Sequence, residues 1–284
     1  MIPSLIALTF RIVSNPVANM AQKLLSKRHS AVLINMYSFA VLSLFCLYPA
    51  SINDWLVYDF SFWEYVLTAG ILCTLGSVCL IKALQCGEMS VLGPINSYKC
   101  IVGLVFGFFL LREIPAIAAV FGVILIILGS WYIFDTVDEG FSFKLLLRKD
   151  IILRFCALFF TGCEAVVLKK VILLSSAWES FMLWCFSGLF FSFLLLVLFG
   201  VKIRKFSFRE NLWVIVIAFC LSVMQLSTNI VFEKLNVGLA LALFQLSNIL
   251  TVFLGYFMFK EGSLLKKLCG TIVMVVGSCL ILLG

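Results

Sequence analysis

Ten apolar runs, each about twenty residues long, follow one another along a chain of 284 residues. A helix needs about 20 consecutive apolar residues to cross the hydrocarbon core of a bilayer. Charged residues make up only 12 % of the chain, whereas soluble domains carry about 25 %. The runs therefore predict a polytopic membrane protein. Its ten predicted spans are 3–25, 31–49, 62–85, 89–111, 114–134, 151–174, 178–200, 211–234, 237–259 and 262–283.

The pattern within the runs is that of helices. Alternating apolar and polar positions, the mark of a transmembrane β-barrel, are absent, so the predicted fold class is an all-α membrane protein. The eleven cysteines lie singly with no CxxC pair, and we expect no disulfide framework, metal site or other cofactor. The net charge of +7 comes mostly from basic loop residues that anchor a membrane protein. We expect a multi-pass integral protein of the cell (inner) membrane, with the lipid bilayer and no nucleic acid as a partner.

The chain repeats itself at an offset of 148 residues. Residues 107–113 read GFFLLRE at the end of span four, and residues 255–261 read GYFMFKE at the end of span nine. Lys23, near the end of span one, corresponds loosely to Lys169 or Lys170 near the end of span six, at an offset of 146 or 147 residues rather than 148. Further pairs at the offset of 148 residues are Gly122 with Gly270, Gly129 with Gly277, and Ser130 with Ser278.

This repeat predicts two duplicated halves of five spans each. The first half covers 1–134, the second covers 151–284, and residues 135–150 link them, with a short helix in the second half of the linker. Because five is an odd number, the second half must enter the membrane from the opposite side. Inverted repeats of this kind are a hallmark of secondary transporters, whose substrate sites lie near the bilayer midplane.

Two charged residues lie near the centres of otherwise apolar spans: Lys99 in span four and Glu164 in span six. A charge at the bilayer centre costs roughly 2.5–3.5 kcal/mol on insertion scales, so such residues usually have a function. The repeat assigns Lys99 and Glu164 to opposite halves. They are interpreted either as two sides of a substrate site or as a structural ion pair that only stabilises the bundle.

Further polar residues lie on the faces of these spans. Span one carries Arg11, Asn15, Asn19 and Lys23 at four-residue intervals, a stripe that points away from lipid. Each amide has the alternative role of joining helices, and Arg11 that of reaching the near interface. The candidate substrate-binding residues are Lys99, Glu164, Arg11, Asn15, Asn96, Gln225, Asn229, Gln245 and Asn248.

The GxFxxxE pattern occurs at 107–113 and again at 255–261. Spans five and ten each have a glycine in the middle and Gly-Ser near the end. In these motifs the chain resembles the EamA-like family of the drug/metabolite transporter superfamily. The resemblance covers essentially the whole chain. It implies ten transmembrane helices in two inverted EamA-like repeats around a central cavity lined by spans one, three, four, six, eight and nine. Spans five and ten are then scaffold. Members of the superfamily move amino acids, metabolites, nucleotide sugars and drugs.

The predicted function is a secondary active or facilitative transporter that moves a small polar metabolite by alternating access. Cations and a carboxylate at mid-depth suit an amino acid, or another zwitterion or anion, as the small-molecule partner. No Walker motif or catalytic signature occurs in the sequence, so the protein is not expected to be an enzyme. The alternatives are an intramembrane lipid-modifying enzyme and a non-transporting membrane receptor on the same fold. The oligomeric state is left open.

The charges of the loops predict how the protein is oriented. Most loop lysines and arginines lie in the loops between spans one and two, five and six, seven and eight, and nine and ten. The positive-inside rule places that face in the cytoplasm and both termini outside. We therefore expect a reporter enzyme that works only outside the cytoplasm to be active when fused to the C-terminus. An inactive reporter would support cytoplasmic termini, which are usual among the relatives that the sequence resembles.

Overall fold

The structure, a computed structural model, describes residues 2–102, 116–137 and 143–283. The described residues are helical and contain no strand. Their α-helices are α1 (Ile2–Ser26), α2 (Ala31–Ile52), α3 (Phe60–Cys86), α4 (Met89–Leu92), α5 (Ile117–Phe134), α6 (Phe143–Leu146), α7 (Lys149–Leu174), α8 (Ala177–Leu198), α9 (Phe208–Lys234), α10 (Val237–Phe244), α11 (Ser247–Phe259) and α12 (Leu264–Leu283).

Eight helical stretches among the described residues are long and apolar enough to cross a membrane. They correspond to predicted spans two, three and five to ten, with α10 and α11 together forming span nine. Span one is the helix α1, whose 25 residues include the polar stripe that makes it less apolar than the eight. The second half of span four, with Gly103, Gly107 and Glu113, lies outside the described residues. The predicted count of ten membrane spans is therefore not confirmed.

Two predicted spans are interrupted rather than continuous. Span four starts as α4, passes through a 3-10 turn at Pro94–Ser97 and becomes α-helical again from Tyr98. Pro94 has no N–H group, and its ring clashes with the preceding turn of an α-helix. Span nine breaks between the end of α10 at Phe244 and the start of α11 at Ser247. At the repeat offset, residue 97 corresponds to 245, so both halves break at equivalent positions.

The most extensive helix contacts join the two halves of the chain. Helix α1 packs on α9, α3 on α7, α2 on α8, and α5 on α12. A shift of 148 residues converts α1 into α7 and α3 into α9. The contact between α1 and α9 is therefore the counterpart of the contact between α7 and α3. Such an exchange of partners is what a pseudo-two-fold axis between two repeats produces.

Helices α5 and α12 approach each other closely at glycines. A Cβ atom added to Gly122 would lie 2.5 Å from the carbonyl oxygen of Gly277, and one added to Gly129 would lie 2.6 Å from that of Gly270. Small residues let helix backbones meet where no side chain fits. The order of the two contacts shows that α5 and α12 are antiparallel. The glycines of the sequence repeat thus face each other across the two halves.

Glu261, the glutamate of the second GxFxxxE pattern, ties the halves together at one end of the bundle. Its Oε1 accepts hydrogen bonds from Lys23 Nζ at 2.7 Å and from the backbone N–H of Met89 at 2.8 Å. Its Oε2 accepts one from the N–H of Ser90 at 2.8 Å. Met89 and Ser90 open α4, where N–H groups have no partner within the helix. The carboxylate therefore caps α4 and neutralises Lys23.

A similar lysine contact occurs in the second half. Lys169 Nζ donates to the carbonyl oxygen of Leu235 at 3.4 Å, as Lys23 Nζ donates to that of Gly87 at 2.9 Å. At the repeat offset, Leu235 is the counterpart of Gly87. By this contact Lys169, rather than Lys170, is the equivalent of Lys23.

The close approach of α5 and α12 predicts that they tolerate no added side chain. We expect Gly122→Ala to lower the thermal unfolding temperature of the detergent-purified protein, because overpacking typically costs about 1–3 kcal/mol. The matched control is Gly162→Ala in α7, where an added Cβ would meet no atom within 4 Å. This control should be no less stable than the wild type, because alanine favours helix over glycine. Equal effects of the two changes would contradict the glycine contact.

Glu261 makes the stability of the folded protein dependent on pH. Burial opposes ionisation of the carboxyl group, but Lys23 and the bonds from Ser90 outweigh it, so the pKa of Glu261 lies below its ordinary value of 4.5. A carboxylate with a lowered pKa stabilises the folded protein above the ordinary pKa, and this contribution is lost as the pH falls through the lowered value.

We therefore expect Glu261→Gln to cost about 1.5–3 kcal/mol at neutral pH, the usual contribution of a hydrogen bond to a charged group. The difference in stability between wild type and variant should shrink below pH 4.5, as measured by thermal unfolding across pH. The exposed Glu64→Gln is the control and should have no comparable effect. A difference that did not change with pH would contradict a charged Glu261.

Candidate central site

A cavity of about 130 Å³ lies inside the bundle and is lined by residues of both halves. Its walls come from α1, α3, α7, α9, α10 and the segment that follows α4. These are the spans that the family resemblance implied. Phe39 of α2 and Trp184 of α8 complete the wall. Among the described residues, none from α5 or α12 lines the cavity, in keeping with a scaffold role for those helices.

Lys99 and Glu164 both face this cavity. In the part of the chain that the structure describes, no ion pair within 4.0 Å joins them; the salt bridges found there use other residues. Glu164 Oε1 instead accepts a hydrogen bond from the indole Nε1 of Trp184 at 3.1 Å. The geometry is thus a cation and a carboxylate that face a shared space without neutralising each other directly.

Arg11 points into the same cavity from α1. Its Nε donates to Thr228 Oγ1 at 2.9 Å, and its guanidinium group lies 4.7 Å from the ring centre of Phe244. Both partners belong to the second half, so Arg11 crosses the repeat interface instead of reaching for the membrane surface. Its Nη1 is buried and has no hydrogen-bond partner among the described residues. That nitrogen is a donor that a ligand could use.

A third cation, Arg154 of α7, lines the cavity, although it is not among the binding residues predicted from the sequence. Its side chain is buried, and Nε donates to the carbonyl oxygen of Leu92 at 2.8 Å. That carbonyl lies just before the break at Pro94, where the helix cannot satisfy it. A signal was present in the sequence, since Arg154, Thr161 and Glu164 are spaced by seven and three residues and therefore share one helical face.

The predicted amides fall into two groups. Asn15, Asn96 and Gln225 line the cavity. Asn15 Nδ2 donates to Ser247 Oγ at 3.3 Å, and Asn96 Nδ2 donates to Gln245 Oε1 at 3.1 Å. Each of these two bonds connects one half of the chain with the other, at the level of the helix breaks.

Asn229, Gln245 and Asn248 do not line the cavity. Asn229 Nδ2 donates to the carbonyl oxygen of Ala177 at 2.9 Å. Asn248 Nδ2 donates to Ser97 Oγ at 3.3 Å and to Gln245 Oε1 at 3.0 Å. These amides join helices behind the wall, which is the alternative role predicted for such groups.

Additional polar residues complete the wall. The side-chain Oε1 of Gln22 is buried and makes no hydrogen bond to any described residue. A buried polar atom without a partner is costly, so Gln22 offers an acceptor to a ligand. Polar wall residues that the prediction did not name as binding residues are Asn19, Gln22, Ser77, Thr161 and Thr228.

The described residues contain no group of three His, Cys, Asp or Glu side chains that could hold a metal ion.

The comparison with protein families decides the identity. The family model described as the EamA-like transporter family matches residues 15–135 and 148–283, so it matches the chain twice. The chain belongs to the EamA-like transporter family. The two matches are the two repeats, and the family is part of the drug/metabolite transporter superfamily, as the sequence motifs had predicted. Family membership and the eight apolar helices make this a multi-pass integral membrane protein.

A protein of known crystal structure shares the fold. It superposes with a TM-score of 0.67 over 98 % of this chain and 96 % of its own chain, at 14 % sequence identity. The superposition shows that the two proteins share a fold, and an identity this low carries no information about the substrate. Among the curated proteins, none matches the sequence.

Proposed function

We propose that this protein is a secondary active or facilitative transporter that carries a small polar metabolite across the membrane by alternating access, with an amino acid or another zwitterion or anion as the first choice. The observation that carries this proposal is the cavity between the halves, into which Lys99 and Glu164 point without forming an ion pair. Intramembrane charges without a direct partner are expensive. A substrate with complementary charges would relieve that cost.

We propose ten transmembrane helices arranged as inverted repeats, 1–134 and 151–284, with 135–150 as the linker. The antiparallel contact between α5 and α12 supports this arrangement, because these helices are repeat equivalents. The linker contains the short helix α6. All-helical spans and basic loops support a location in the cell (inner) membrane.

Alternating access needs parts that move around a fixed site. The breaks at Pro94–Ser97 and between α10 and α11 lie at equivalent positions beside the cavity. Transporters commonly build their substrate sites from such discontinuous helices. The bonds from Lys23 and α4 to Glu261 link the two halves at one end of the bundle, and we propose that they break when the halves separate there.

The dimensions and charges of the site limit the substrate. The cavity of about 130 Å³ is close to the roughly 150 Å³ void that holds one benzene molecule in another protein. It suits a small metabolite better than a nucleotide sugar. Glu164 is placed to receive an ammonium group, and Lys99 and Arg11 are placed to receive a carboxylate.

We propose a transport activity and not an enzymatic one, in line with the EamA-like transporter family to which the chain belongs. One observation distinguishes a receptor with the same fold from a transporter. A receptor would be stabilised by its ligand but would show no exchange of that ligand across a membrane.

The test is counterflow of labelled metabolites in liposomes that contain the purified protein, screened across amino acids and small organic anions. We expect Lys99→Met and Glu164→Gln to lower exchange of the active substrate about 10- to 100-fold, since each removes a charge-assisted hydrogen bond. Lys82→Met and Glu64→Gln are matched controls, because Lys82 is bonded to a neighbouring glutamine at an exposed site and Glu64 is exposed.

Normal exchange in both cavity variants would overturn the central site. Stabilisation by a ligand without any counterflow would support the receptor instead. Turnover of labelled lipid into a soluble product would support the enzyme.

A further inference from the structure

We propose that the substrate of this cavity carries two separate anionic groups, and that a short dicarboxylate is the class of molecule it takes. This inference rests on the proposed transport function and makes its substrate class specific. It follows from Arg154, the third cation of the cavity, together with the positions of the four charged side chains.

The charges that face the cavity do not balance. Arg11, Lys99 and Arg154 are basic, whereas Glu164 is the one acidic residue of the described wall. The formal charge of the wall built by the described residues is therefore +2. None of these four side chains takes part in an ion pair within 4.0 Å among the described residues.

An uncompensated charge in a membrane interior is unfavourable, and the substrate is the group that can compensate it. A neutral zwitterion leaves the formal charge of +2 unchanged. A monoanion leaves +1, and a dianion brings the site to zero. On charge alone, a dianion is held more tightly than a neutral amino acid.

The positions of the cations indicate whether the substrate carries two separate anionic groups or one group with two negative charges. Arg154 and Glu164 are ten residues apart on one face of α7, which separates their backbones by roughly 15 Å along the helix at 1.5 Å per residue. Arg154 is bonded to the carbonyl oxygen of Leu92 beside the break in span four, whereas Arg11 is bonded to Thr228 of α9 and lies over the ring of Phe244 in α10. The cavity thus has one cationic position at Arg154 and a second at Arg11.

At each position an arginine is held through its Nε atom. Arg154 uses Nε for the carbonyl of Leu92, and Arg11 uses Nε for Thr228. In each case the bond orients the guanidinium group, and Arg11 Nη1 is a buried donor with no hydrogen-bond partner among the described residues. Arginine nitrogens of this kind bind carboxylates in pairs of parallel hydrogen bonds. A dicarboxylate can place one carboxylate at each position, whereas inorganic phosphate has only one centre of charge.

The experiment is counterflow in liposomes with four probes: succinate, its monoamide succinamate, alanine and inorganic phosphate. Succinamate has nearly the same size as succinate but only one negative charge. For the wild-type protein we expect succinate to exchange with an apparent affinity at least about tenfold higher than any other probe, a modest value for one additional charge-assisted contact.

The decisive variant is Arg154→Gln, which removes one charge. We expect it to reduce the ratio of the apparent affinities for succinate and succinamate to about twofold or less, mainly because the affinity for succinate falls. Arg154→Lys keeps the charge and should keep the preference. Because the readout is a ratio of two substrates measured in one preparation, a lower amount of folded protein does not change it.

Exchange of alanine with no preference for succinate would overturn this inference and leave the transport function intact. Equal exchange of phosphate and succinate would overturn the two cationic positions. Failure of every probe, and of all metabolites in the wider screen, would count against transport itself. An unchanged ratio of succinate to succinamate in Arg154→Gln would also overturn the role of Arg154.

Discussion

The interior of a bilayer supplies no water to bond polar groups, and this constraint organises the whole molecule. Side chains that cannot face lipid must meet either one another or a cavity. The structure uses both solutions. Amides such as Asn229 and Asn248 satisfy each other and the backbone between helices. Arg11, Lys99 and Glu164 face a shared space instead. The charged groups are thus collected in one place, and the apolar surface is left for lipid.

The two halves pack against each other around this cavity. Equivalent helices exchange partners across the interface, and the glycines of α5 and α12 let two backbones meet without side chains between them. Glu261 links the two halves at one end of the bundle by accepting bonds from a lysine of α1 and from the first turn of α4. The glycine contacts of α5 and α12 and the bonds of Glu261 lie outside the cavity wall, and the helix breaks lie beside the cavity. This division suits a protein whose halves move around a central site.

Much of the architecture was predictable because it depends on local patterns. Apolar runs marked nearly every helix, and the offset of 148 residues identified the glycines that meet between α5 and α12. The interruptions of spans four and nine were less evident, because a run of apolar residues has the same composition whether its helix is continuous or broken. Arg154 was missed because it lies near the end of its span, where a basic residue usually reaches the interface. Its helical face, shared with Glu164, was the useful signal.

By itself the sequence determined that the chain is a helical membrane protein of two repeats, since hydropathy and internal similarity are properties of the residues in order. It also named Lys99 and Glu164 as costly charges that need an explanation. Only the tertiary structure decided how those charges meet. Distances between helices depend on packing across the halves, and this packing brings Arg154 to the cavity, sends Asn248 behind its wall, and keeps Lys99 and Glu164 from forming an ion pair.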